Sequence, residues 1–66
     1  MAKNYYKELD KRIRDFELGR QTSSSLLHAI ADKIYWCNKW KKITTEQLHE
    51  LCDRVTNIVE NYILEY

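Results

Sequence analysis

Cys37 and Cys52 are the only cysteines of the chain, and two thiols invite a disulfide, a metal site or a nucleophile. His49 stands three residues before Cys52 and would add a third ligand of a suitable kind. A closed zinc site takes four. The other histidine, His28, lies nine residues from Cys37, about 13 Å away along a helix rising ~1.5 Å per residue, so no metal is expected. A disulfide needs Cα atoms closer than helices packed through large side chains usually bring them. The pair therefore reads as two buried thiols in a reducing compartment. Ser23, Ser24 and Ser25 have no histidine beside them in sequence, and nucleophilic catalysis needs a base and an orienting group. Their position suits capping. A single glycine, Gly19, cannot build a phosphate-cradling loop. The expectation is no catalytic residue, no metal, no cofactor and no enzyme.

The stretch with most to offer a partner is Tyr35-Trp36-Cys37-Asn38-Lys39-Trp40-Lys41-Lys42. Aromatics interleaved with lysine can stack on bases, or can form an aromatic anchor with a basic rim for another protein. Trp36 and Trp40 are one helical turn apart. They either cover the open flank of a helical bundle near the start of its first helix or stand as an exposed anchor. The candidate partner-binding set is Trp36, Trp40, Lys39, Lys42 and Tyr35.

These residues sit on the segment that organises the chain, Ser24 to Ile43, read as one helix. At ~100° per residue its apolar positions spread over roughly 200°, about twice what an ordinary surface helix needs. Leu26, Leu27, Ile30, Ile34 and Cys37 face one neighbour, while Trp36, Trp40 and Ile43 lie on the next flank. A helix is expected on each side. In the first, Tyr5 or Tyr6, Leu9, Ile13 and Phe16 recur at three- and four-residue steps, a single stripe. Asn4 can cap its start, Glu8 with Arg12 and Asp10 with Arg14 have the i,i+4 ion-pair spacing, and Gly19 supplies a left-handed stop. Residues 20–24 form the turn, ending in three hydroxyls that can cap the next helix. Thr44-Thr45-Glu46-Gln47 matches a capping box, with Ile43 and Leu48 spaced as a hydrophobic staple. The third helix follows, burying Leu48, Leu51, Cys52, Val55, Ile58, Val59, Tyr62, Ile63 and Tyr66 and leaving Arg54 on the solvated face.

A tight turn at Ile43 and Thr44 makes the second and third helices antiparallel. Apolar positions then pair in one register: Leu26 with Ile63, Leu27 with Tyr62, Ile30 with Val59, Ile34 with Val55 and Cys37 with Cys52. The first turn lays Phe16 against Leu27, Ile13 against Ile30 and Leu9 against Ile34. Agreement between separate stretches marks a consistent fold. The prediction is a single all-α domain over residues 1–66, an up-down-up three-helix bundle with helices at about 4–18, 24–42 and 45–65. The alternative is a helical hairpin that completes its core as a dimer, so a homodimer stays open.

Sixty-six residues are few for a self-sufficient core, and the absence of proline with one glycine favours a few long helices over sheets. No apolar run approaches the ~20 residues that span a bilayer, and Met1-Ala2-Lys3-Asn4 opens no apolar signal segment. A cytoplasmic protein with no membrane role is expected. The net charge of +1 demands no particular partner. Its distribution is uneven: residues 21–43 carry four basic and one acidic side chain, residues 44–66 one basic and five acidic. A helix-turn-helix reader would present Thr45-Glu46-Gln47-Leu48-His49-Glu50 to DNA, with acid where phosphate repels most. The leading expectation is therefore a small protein-protein interaction module, a regulator or inhibitor that occupies a partner surface. The alternative is a nucleic-acid-associated protein using the basic surface of helices one and two.

Overall fold

In the computed structural model, which describes residues 4–61, the chain forms three helices, α1 (Tyr5–Glu17), α2 (Ser24–Lys39) and α3 (Thr45–Asn61). They pack as an up-down-up bundle in which each helix touches both others, with no strand element among the described residues.

Local chemistry sets the helix starts. The Asn4 side chain accepts the Lys7 backbone N–H at 3.0 Å, and the Ser23 hydroxyl accepts that of Leu26 at 3.4 Å. At α3 the capping box is reciprocal. Thr44 Oγ1 accepts from the Gln47 backbone N–H at 3.1 Å, and Gln47 Oε1 accepts from the Thr44 backbone N–H at 2.9 Å, which satisfies two donors that a bare helix end would leave orphaned.

The first two helices stop by the same device. After α1, Gly19 takes φ +74°; its N–H donates to the Phe16 carbonyl and that of Arg20 to the Asp15 carbonyl. This is a Schellman end, in which a left-handed residue closes the last turn. After α2, Lys41 takes φ +59°, its N–H donating to Asn38 and that of Lys42 to Cys37. The same bond pattern is built here on lysine. As a result α2 ends at Lys39 instead of the expected residue 42, and the reading of Ser24–Ile43 as one helix is corrected. Ile43 is 4% exposed: the reversed chain carries it into the core from the turn.

The core joins Leu9, Ile13 and Phe16 of α1, Leu27, Ile30, Ile34 and Cys37 of α2, Ile43, and Leu51 and Ile58 of α3, with Tyr5, Tyr6, Leu48 and Val55 packed around it. All six side chains expected to pair across the first turn are buried in this cluster. The expected α2–α3 pairing needs correction, because Cys52 and Val59 are exposed while Leu51 and Ile58 are sealed. α3 is turned so that its buried line faces the space between α1 and α2 together, which moves the row one residue back. Contacts to α1 accompany that rotation: Arg54 of α3 bonds Asp10 and Glu17, and the Tyr6 hydroxyl donates to the Glu50 carboxylate. The pairings of Leu26 with Ile63 and Leu27 with Tyr62, and the expected end of the third helix, lie outside the described residues.

Candidate functional site

Tyr35, Trp36 and Lys39 lie in the last turns of α2, and Trp40 is the residue that caps its C-terminal end, so the helix holds the four in fixed relation. The Trp36 and Trp40 rings are nearly parallel at 19°, with centroids 6.5 Å apart, which is the stacked geometry expected of aromatic residues four apart on a helix. Tyr35 meets Trp36 edge-on at 6.0 Å and 78°. The Lys39 ammonium lies 4.6 Å from the Trp36 centroid, within cation–π range and worth roughly 0.5–1 kcal/mol at an exposed site. Four of the five sequence-derived candidates therefore form one cluster. The fifth, Lys42, turns away: its ammonium stands 5.9 Å from the Tyr5 ring, so it borders the patch from the α1 side instead of rimming the tryptophans.

None of these aromatics is core. Trp36 is 47% exposed, Trp40 65% and Tyr35 60%, whereas Tyr5 and Tyr6 pack against the core. Trp36 and Trp40 therefore stand in solvent and do not seal the open flank of the bundle. The cost is apolar surface left in water, about 25 cal/mol per Å², on a domain that needs its buried area.

Other chemistry-bearing groups are accounted for locally. Glu8 pairs with Arg12 at 3.4 Å and with Lys33 at 3.5 Å, and Asp10 pairs with Arg14 at 2.8 Å. The hydrogen bonds to Glu17, and next those to Asp10, hold the Arg54 guanidinium above its already high ordinary pKa despite partial burial. The bond to Glu50 likewise raises the Tyr6 phenol. Cys37 is buried and Cys52 exposed, both as free thiols, which corrects the expectation of two buried thiols; partial burial, helped by the Asp53 carboxylate, raises the Cys52 pKa. Among the described residues no group of three or more His, Cys, Asp or Glu side chains converges as metal ligands would, and no helix is long and apolar enough to cross a membrane.

Sequence reasoning missed two features. One is Arg54, assigned to the solvated face. The other is the continuation of the exposed surface back along α2 through Ala29 and Leu26, the latter 48% exposed, which the spacing of those residues does signal once their exposure is known. Comparison with protein-family models, with curated proteins and with solved structures finds no match to this chain.

Proposed function

We propose that this protein is a non-enzymatic interaction module, a small regulator or inhibitor that works by covering a surface of another protein. Trp36 and Trp40 are the anchor, Tyr35 extends it, and Lys39 and Lys42 supply the charged border. The observation that carries this reading is the pair of stacked indoles standing in solvent on a rigid helix. Tryptophan contributes large contact area with few rotatable bonds to order, and such residues dominate binding energy when a partner desolvates them. Two free thiols suit a reducing compartment, and a cytoplasmic location belongs to the same proposal.

The nucleic-acid reading draws on the same aromatics beside lysine, a stacking platform in principle. It is weakened on α1, where Arg12 and Arg14 are engaged by Glu8 and Asp10 and offer phosphate less.

The Trp40→Ala variant tests the proposal. An exposed anchor predicts a thermal midpoint within a few degrees of the wild type and loss of the proteins captured by the wild type from the native host, identified by mass spectrometry. Destabilisation on the order of 3–5 kcal/mol would mean that the indole is core and would end the proposal. Binding of a labelled single-stranded oligonucleotide below micromolar concentration, falling steeply with salt, would move the protein to the nucleic-acid class.

A further inference from the structure

The exposed aromatics belong to a longer row. Leu26, Ala29, Lys33, Trp36 and Trp40 follow one another at steps of three, four, three and four, the spacing of the a and d positions by which two helices pair. Leu26, Ala29, Trp36 and Trp40 are exposed, and Lys33 is half-buried beside Glu8. The row runs alongside the line that α2 buries in its own bundle. Next to it opens a groove of about 210 Å³ between α1 and α2, lined by Phe16, Leu26, Ala29 and Ile30 among charged and polar side chains that include Arg12 and Asp15.

We propose that this face receives a second copy of the chain, with the two α2 helices antiparallel about a two-fold axis. The inference rests on the reading of the aromatic face as a protein-docking surface and names its occupant. Charge and size select the occupant and the direction. In an antiparallel pair, a positions face d positions; the register that sets Trp40 over the partner's Ala29 also sets Trp36 against the stem of the partner's Lys33. Large meets small in the first pair. In the second, an aliphatic stem meets an indole, and the Lys33 ammonium keeps its own Glu8 at 3.5 Å, so no charge is stranded. The same register places Asp32 opposite the partner's Lys39, and by symmetry Lys39 opposite the partner's Asp32. Asp32 is the one acidic residue in 21–43, is exposed, and makes no ion pair among the described residues. A parallel pair would instead stack Lys33 on Lys33 and leave Asp32 unmatched. A nucleic acid would meet Asp32 as a repulsive charge.

A contact one helix long falls at the small end of specific interfaces, and dissociation on the order of micromolar follows. Sedimentation equilibrium across that range should show the wild type passing from monomer to dimer. Asp32→Lys and Lys39→Asp, each facing like against like, should each weaken the dimer by about tenfold or more. The double swap, Asp32→Lys with Lys39→Asp, should restore it to within a few fold, with unchanged helical circular dichroism in all three variants. A wild type that stays monomeric to millimolar concentration overturns the inference, as does a double swap no better than either single change. Neither result touches docking onto a different protein, which stands or falls separately on the Trp40→Ala capture comparison.

Discussion

Arg54 does work that its neighbours in sequence do not announce. Its side chain, 21% exposed, leaves α3 and grips two turns of α1 at once, with Nε and Nη2 on the Glu17 carboxylate at 3.2 and 2.6 Å and Nη1 on Asp10. A planar fork can satisfy two carboxylates in this way and an ammonium cannot. Because these bonds raise a pKa that is already far above neutrality, the guanidinium keeps its charge at and well above neutral pH. Arg54→Ala should cost about 1–2 kcal/mol in urea unfolding, toward the low end of charged hydrogen bonds because solvent reaches the site. Arg54→Lys should recover less than half of that. At this scale legibility follows sequence distance. The Asn4, Ser23 and Thr44 caps and the Glu8–Arg12 and Asp10–Arg14 pairs depend on neighbours within one turn and can be read directly. Arg54 finds its partners 37 and 44 residues away, where only the rotation of α3 brings them together.

The two helix ends built on Gly19 and Lys41 make the same turn from unequal materials. Glycine takes positive φ without a steric cost, whereas a side chain there crowds the following carbonyl by roughly 1–2 kcal/mol. Lys41→Gly should therefore stabilise the protein by about 0.5–1 kcal/mol after the greater chain entropy of glycine is allowed for, seen as a rise in the urea midpoint at constant slope. The same residue explains why α2 outran its real end in the sequence reading. Ile43 has the right period for the helix, and lysine gives no signal to stop, so the wheel continues through a turn that it cannot see. The end of α1, marked by glycine, was legible to within one residue of Glu17.

The three-helix architecture was legible because the outer segments each carry one apolar stripe, the middle one is apolar over two flanks, and the connections are too short for anything but antiparallel neighbours. How α3 faces its neighbours was not. Pairing it with α2 alone points Cys52 and Val59 inward, and the presence of α1 on the other flank turns Leu51 and Ile58 into that place. The candidate site was legible in composition but not in exposure, since periodicity gives the angle of Trp36 and Trp40 without saying whether another helix lies over it. For the whole molecule the central test remains Trp40→Ala: fold retained, association lost.

One product of that rotation turns the two thiols into reporters of different events. A maleimide added to the native protein should attach to Cys52 at once, faster as pH climbs because its raised pKa keeps the thiolate scarce at neutrality. Cys37, 6% exposed, should wait for the bundle to open, lagging by on the order of a hundredfold or more if opening costs about 3 kcal/mol. Mass spectrometry of the singly and doubly tagged chains over time would then measure how often this small bundle breathes, with the first tag recording reagent strength and the second recording the protein itself.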